Sequence, residues 1–455
     1  MKPTLRPWLQ HLEATGRMRC VKKAVDPVFE LACVGKKLEP RHGAFFENVL
    51  GSSMPVVTGI ATSRDVMAES LGLTYEQLKE RFSHAIAAPT PALIVREGSP
   101  EVKQRRFFGD KIDLRRLPAC VHHEKDSGPY ITAALCIVRD PDTGIRNVSI
   151  HRHEVRDKNH LGALLLPRHT CQIFDKLESR GHSLEIALVI GVHPALLLSS
   201  QATTRLGVDE LEIAGSLLGE PLHLTPCETV GLEVPLESEI VIEGRLLAHA
   251  REDEGPFGEY PKTYGPRGKR HVIEVSAVMH RAEPIYHTII PASMEHLLLG
   301  GVSREAGMLQ LIRQATPNVT DVRLTPAGGC RYHAVIQLDQ KHAGEAKNAI
   351  FAALASSTEV KHVIAVNTDI NIDDMQDVEW ALANRVQGGR DIFVVTGAMG
   401  NKLDPSSCDG QSDKVGIDAT IPMDQDPQRF AKMCIPGFDG IRLEDYLTSF
   451  AKENI

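Results

Sequence analysis

Two carboxylates, Glu254 and Glu259, bracket a Gly-Pro-Phe-Gly turn in the segment REDEGPFGEYP that starts at Arg251. Glycine opens backbone conformations closed to other residues and proline fixes φ, so the turn presents both acids on a defined bend. Acids held this way suit general acid and base work, because unequal burial keeps one protonated near neutrality while the other stays ionised. A solvated acidic turn carries the same letters, and the segment alone does not separate the two readings.

A second segment, RNVSIHRHEV from Arg146, reads as a strand with Asn147, Ser149 and His151 on one face and Val148, Ile150 and Arg152 on the other. A solvated strand edge accounts for it as well as a site does. A buried Arg152 would need a carboxylate, and Glu254 or Glu259 would supply one. His169 follows in LLLPRHT, and Glu210 opens the helix-like ELEIAGSLLG. With Asn147 they offer an amide oxygen, a ring nitrogen and a carboxylate, a set suited to Mn²⁺ or Mg²⁺ completed by phosphate oxygens rather than to a closed zinc site. Any one of the 20 histidines also reads as a surface or core-edge residue. DINIDD resembles the start of a calcium loop, but Asp374 stands where glycine is required and Trp380 where the bidentate acid belongs, so it is rejected.

The elements that position these residues are legible in outline. At 455 residues the chain exceeds a single core, and two or three domains are expected. Residues 1–112 read as an N-terminal α/β region, with a helix in PWLQHLEATG and a strand in PVVTGIA. Residues 113–302 are strand-rich, interrupted by helices at HTCQIFDKLESRG and VDELEIAGSLLG. From 303 to 438 helix and strand alternate as in an α/β domain. Within it, residues 397–424 read as a long functional loop. Residues 439–455 read as a C-terminal helix that docks on a neighbour.

Hydrophobic residues at 42%, charged residues at 24% and a net charge of -8 describe an ordinary globular chain with no field for nucleic acid. The N-terminus lacks a secretory apolar stretch, and the most apolar run, Ile186 to Leu198, is broken by His193 and Pro194, so neither export nor a membrane is expected. Nine cysteines without a CxxC fit reduced thiols in the cytoplasm. No G-x-G-x-x-G follows a strand to suggest a nicotinamide partner.

EGPFGEY, preceded by the Asn147-to-Arg152 spacing, resembles the signature of UbiD-type decarboxylases. GPYITAALCIVRDPDTGIRNVSIHR, ALVIGVHPALLLSSQ, EVPLESEIVIEGRL and DKVGIDAT extend the likeness along almost the whole chain in family order. The resemblance implies a multidomain α+β and α/β fold. Its centre would be a split-barrel, flavin-reductase-like cofactor domain of mixed β structure, followed by a C-terminal α/β oligomerisation domain. It implies Arg152, Glu254 and Glu259 as catalytic residues, and prenylated FMN held through Mn²⁺ (or Mg²⁺) on Asn147, His169 and Glu210. The strand of Val148, Ser149, Ile150 and His151 would line the flavin, Arg168 and His169 approach its phosphate, and Lys414 bind that phosphate as a point charge. Ser199 to Ala202 would hold K⁺, although SSQA departs from the commoner pattern there.

The resemblance further implies reversible non-oxidative decarboxylation, with Glu259 protonating the carbon that CO₂ leaves and Arg152 holding Glu254 ionised. A flavin prenyltransferase would supply the cofactor, and the chain would form a homo-oligomer, a dimer or hexamer. PASMEHLLLGGVSREAG looks most like furan-2,5-dicarboxylate decarboxylases, with His296 and Arg304 meeting a second carboxylate. A helix start with a surface His and Arg reads equally well. Pyrrole-2-carboxylate and hydroxybenzoate-type acids stay open as substrates. A flavin-dependent oxidoreductase and a non-catalytic flavin-binding subunit remain as other classes; the second would show a broken triad, and all three residues are present.

Overall fold

Two of the segments that read as strands from their β-branched residues form the longest strands. In the computed structural model, which describes residues 3–408 and 410–447, Ile240–Glu254 and Gly268–His280 pair antiparallel at the centre of a nine-stranded sheet. On one side follow His160–Ala163, His153–Val155 and Tyr130–Ile131; on the other Leu184–Ile190, Leu135–Arg139 and Arg146–Ile150. Arg105–Phe108 adds to Gly268–His280.

This order dictates the shape. Arg146–Ile150 and His153–Val155 stand six places apart, roughly 29 Å in a flat sheet. Only His151 and Arg152 separate them in sequence, and three Cα steps span at most about 11 Å. The sheet therefore curls into a half-barrel, and Arg152 sits in the bent link between the edge strand Arg146–Ile150 and His153–Val155. Register shifts after Glu243 and Leu246 help the central pair bend. Gly244 is required at the first, since a Cβ there would lie 2.3 Å from the Glu274 carbonyl oxygen.

Leu184–Ile190 shows why its sequence is continuously apolar. Ile186, Leu188 and Ile190 enter one core with Phe174 of the helix His169–Glu178, while Ala187 and Val189 enter a second core shared with the N-terminal helices and the C-terminal domain. Both faces of the strand are buried. The apolar run continues after a turn as the helix Pro194–Ser199. Among the described residues no helix is long and apolar enough to cross a membrane, and all nine cysteines are free.

The N-terminal sheet of Met18–Val21, Gly43–Phe46 and Val56–Thr58 takes its fourth strand from Tyr286–His287, which ties it to the central region. The C-terminal sheet runs Val319–Leu324, His333–Leu338, His362–Asn367, Gln411–Asp418, Ile392–Met399. The expected boundary at 302/303 falls inside one continuous helix, Met294–Ala315, because the glycines at 300 and 301 are close-packing positions rather than breaks: Cβ atoms there would meet Arg331 and Cys330.

The expected loop 397–424 is corrected too. Its residues 411–418 form a strand inside the sheet, whose polar letters hid it, and Gly416 is needed there because Phe393 and Ile350 press onto its α-carbon. Of the expected C-terminal helix, the described part holds only 3₁₀ turns, at Phe438–Gly440 and Leu443–Asp445, and residues 448–455 lie outside the described residues. The DINIDD acids are used structurally: Asp369 pairs with Arg385, Asp373 with Arg323, and Asp374 caps the helix Met375–Arg385.

Candidate active site

Arg152 in the bent link and the turn after Ile240–Glu254 meet directly. Arg152 donates through Nε to Glu254 Oε1 at 2.9 Å and through Nη2 to Glu254 Oε2 at 2.8 Å, a bidentate pair. Its Nη1 donates to Glu259 Oε1. Tyr130 adds a hydroxyl donor to Glu254 Oε1 at 3.0 Å, and the guanidinium stacks over Phe257, 5.0 Å from the ring centroid. The bend needs Gly255, whose φ of +79° is the left-handed region.

The two acids are inequivalent. Glu254 is fully buried and holds the bidentate contact, whereas the Glu259 side chain keeps 13% exposure. Burial pushes the Glu259 carboxyl up, Arg152 pulls it down, Glu254 pushes it up again, and the net shift is upward. For Arg152, burial disfavours the charge but Glu259 and Glu254 outweigh it, so the guanidinium stays charged. Arg152 therefore fixes Glu254 bidentately and also holds Glu259, whose carboxyl is able to keep its proton.

The opposite face of the Arg146–Ile150 strand converges on one hydroxyl. Thr170 Oγ1 accepts from Asn147 Nδ2 at 3.0 Å and lies 3.0 Å from Ser149 Oγ and 3.3 Å from His151 Nε2. These residues share the face that strand alternation assigns them. Glu210, at 3% exposure, accepts the Val148 N–H at 2.6 Å, and burial pushes its carboxyl up to about 8. Among the described residues no cation pairs with it, so the carboxyl either keeps its proton or meets a bound cation. Asn147 and His169, which opens the helix beside Thr170, are neutral donors that line the same cavity. Glu210→Ala is expected to weaken Mn²⁺ binding by more than the roughly 10- to 100-fold that loss of an outer-shell partner costs. Calorimetric titration of Mn²⁺ into FMN-loaded protein measures this, and an unchanged affinity removes Glu210 from the site.

A cavity of about 620 Å³ joins these groups, large enough for a flavin. Asn147 to Arg152, Arg168, His169, Glu210, Glu259, His296 and Arg304 all line it. Glu254 stands behind Arg152. Ser200 to Ala202 line the cavity, whereas Ser199 turns its hydroxyl to the Leu196 carbonyl and its own carbonyl takes the Ala202 N–H.

Lys414 is a correction: it does not reach the cavity. Its ammonium donates to the Leu354 and Ser357 carbonyls at 2.8 and 3.0 Å, at the C-terminal end of the helix Glu345–Ser356, where the carbonyls and the helix dipole attract a cation.

The far end of the cavity holds residues the sequence did not single out. Glu359 accepts from Arg304 Nε at 3.0 Å and from Asn401 Nδ2 at 2.9 Å, with Arg168 Nη2 at 3.4 Å and Arg331 Nε at 4.0 Å. Burial pushes the Glu359 carboxyl up, but the arginines outweigh it and the net shift is downward. Burial and the neighbouring Arg304 push the Arg331 guanidinium down to about 10, with Glu359 opposing them. His296 accepts the Ala292 N–H on Nδ1 at 3.0 Å, and burial with Arg331 and Arg304 holds it down to about 3, so it is neutral with Nε2 as its donor. Three guanidiniums around one carboxylate leave a cationic surplus facing the cavity. Arg331 lies in a Gly-Gly-Cys-Arg turn and Glu359 before a strand, with no local pattern that marks either one.

Models of three UbiD domains match in succession: the 3-octaprenyl-4-hydroxybenzoate carboxy-lyase N-terminal domain at residues 9–86, the Rift-related domain at 94–294 and the C-terminal domain at 297–419. The chain belongs to the UbiD family of carboxy-lyases, and it is a decarboxylase of that class. Its structure is similar to that of the UbiD-class enzyme HmfF from Pelotomaculum thermopropionicum in complex with FMN, with 57% identity, a TM-score of 0.96 and coverage of 98% of this chain and 100% of that one. It also resembles an evolved dimeric form of HmfF in complex with prenylated FMN, at 52% identity and a TM-score of 0.92, covering 98% and 100% of the two chains. Anhydromevalonate phosphate decarboxylase of Methanothermobacter thermautotrophicus is 38% identical over 89% of this chain and 94% of its own.

Proposed function

We propose that the protein is a reversible decarboxylase that uses prenylated FMN in the 620 Å³ cavity, with furan-2,5-dicarboxylate as substrate and 2-furoate and CO₂ as products. The observation that carries this reading is the pairing of an Arg152–Glu254–Glu259 cluster near one end of the cavity with the surplus of Arg304, Arg331 and Arg168 over Glu359. A substrate with two carboxylates satisfies both. The 57% identity to HmfF supports it over the 38% identity to the anhydromevalonate phosphate enzyme. That second reading draws on the same arginines, which would equally meet a phosphate.

When bound, the prenylated flavin supplies the electron sink that the departing CO₂ requires. The chain's own residues do the rest. Asn147, His169 and Glu210 would hold Mn²⁺ or Mg²⁺, Arg168 would add charge for the cofactor phosphate, and Ser199 to Ala202 would hold K⁺. Val148 to His151 line the cavity wall that would receive the ring system. Arg152 orients the reacting carboxylate and fixes Glu254, and Glu259 delivers the proton to carbon. His296 and Arg304, with Arg331, anchor the second carboxylate.

The wider reading keeps the curled sheet as a split-barrel cofactor domain, with divisions near residues 112 and 438 and a C-terminal oligomerisation unit entered through the helix Met294–Ala315. The exposed Ile392, Val394, Val395 and Met399 on its edge strand support assembly with further copies. A flavin prenyltransferase supplies the cofactor, and the cytoplasm is the compartment.

The test is CO₂ release from a panel of furan, pyrrole, hydroxybenzoate and anhydromevalonate phosphate acids, using protein made with and without a flavin prenyltransferase. Turnover of furan-2,5-dicarboxylate only with the prenyltransferase is expected; activity independent of it overturns the cofactor. In the same panel Arg304→Ala and Arg331→Ala are expected to lower kcat/KM for the dicarboxylate by roughly 10- to 100-fold, the worth of a charged hydrogen bond. Monocarboxylates should lose far less. Equal losses would argue against a second-carboxylate site.

A further inference from the structure

Glu259 has a second side. A cavity of about 280 Å³ lies behind the catalytic bend, and Glu259 and Pro291 line both this space and the larger one. Arg152 engages Glu259 Oε1, while Oε2 makes no protein hydrogen bond among the described residues. The rear walls include apolar Ala32, Ile290 and Ala292, and the polar groups among them include His122, His123 and Lys262.

His123 is built into this wall. Its ring lies against the backbone of Gly258: a Cβ at 258 would fall 2.6 Å from Nδ1, so only glycine lets the imidazole reach the residue next to Glu259. Asp126 clamps the arrangement, accepting the Gly258 N–H at 2.9 Å on Oδ1 and the His122 and His123 N–H groups at 3.2 and 2.9 Å on Oδ2. His123 Nδ1 stands 3.6 Å from Asp126 Oδ2, too far for a hydrogen bond, and is buried without a partner. The side chain as a whole is 35% exposed, so one part of the ring meets solvent. His122 Nδ1 is likewise buried and unpartnered.

Decarboxylation, R–COO⁻ + H⁺ → R–H + CO₂, consumes one proton per turnover. If Glu259 delivers it, Glu259 must be recharged from water while cofactor and substrate fill the front cavity. We propose that the rear cavity is the proton entrance to Glu259 and that His123 is its relay, an inference that rests on the role given to Glu259 above. His123 takes up that solvent proton, delivered by hydronium or a buffer acid, on its exposed side. The imidazolium passes a proton through cavity water to Glu259 Oε2, and the neutral ring is restored. At about 30 Å³ of liquid volume per water, the cavity has room for such a chain.

The experiment uses the enzyme loaded with prenylated FMN and follows both turnover and deuterium uptake from D₂O into the ring C–H of 2-furoate. His123→Ala is expected to slow both by roughly 10- to 100-fold, within the range of positioned acid–base groups. Added imidazole, which fits the rear cavity, should restore them. Ala32→Phe fills the same cavity without touching the relay and should slow both without rescue. In cofactor-free protein, the His123 ring resonance should shift on Glu259→Gln.

Wild-type rates in His123→Ala, or slow rates that imidazole leaves unchanged, overturn the relay. Should both variants misfold, an unmoved His123 resonance in Glu259→Gln overturns it instead. Exchange that survives Glu259→Gln removes Glu259 as donor and so defeats the mechanism itself. Loss of exchange in Glu259→Gln with a wild-type His123→Ala defeats the relay alone.

Discussion

Glu259→Gln is expected to lower decarboxylation and product C–H exchange by at least about 10²- to 10⁴-fold while leaving flavin binding intact. The amide keeps the volume of the carboxyl but has no acidic proton. Arg152 retains its bidentate contact with Glu254, so the guanidinium and the bent link keep their places. The wild-type residue is suited to the task because burial raises its carboxyl above the ordinary value, with Arg152 opposing and Glu254 reinforcing. A raised carboxyl keeps its proton at higher pH than an exposed one. The protonating arm of the wild-type profile should therefore be full below the folded value and fall as pH rises through it, at higher pH than for a free carboxylic acid. Deuterium exchange into 2-furoate, with the bound flavin spectrum as control, measures the loss. Exchange that persists in Glu259→Gln would move the proton donor elsewhere.

What the sequence made legible follows from how local each constraint is. Alternation along RNVSIHR assigns Asn147, Ser149 and His151 to one face, and they meet at Thr170. The demand of a buried arginine for a carboxylate is also local logic, and Arg152 takes both candidate acids. Arg331 and Glu359 were illegible because their meaning is wholly tertiary: they meet Arg304 only once the helix Met294–Ala315 and the C-terminal sheet pack together. Lys414 misled for a related reason. A motif likeness names a residue, but two carbonyls at a helix end decide where its ammonium rests. The strand Gln411–Asp418 was hidden by polar letters whose burial comes from neighbouring strands rather than from its own periodicity.

The clearest structural consequence of that tertiary logic falls on Arg152. Arg152→Ala is expected to destabilise the fold by about 3–5 kcal/mol and to abolish turnover, because it strips the partner from a carboxylate that has no exposure. Tyr130 would remain as one donor to Glu254, and Arg270, whose Nε lies 4.0 Å from Glu254 Oε2, would be the nearest remaining cation. Neither reproduces a bidentate guanidinium. Adding Glu254→Gln removes the stranded charge, so the double variant should recover much of the lost stability. It should recover no activity, since Glu259 has lost the group that fixes its orientation and the reacting carboxylate has lost its cation. Denaturant unfolding of the single and double variants, compared with their CO₂ release, separates the two effects. A single variant as stable as the parent would mean that water reaches Glu254 and that the buried pair does not set the geometry of the bend.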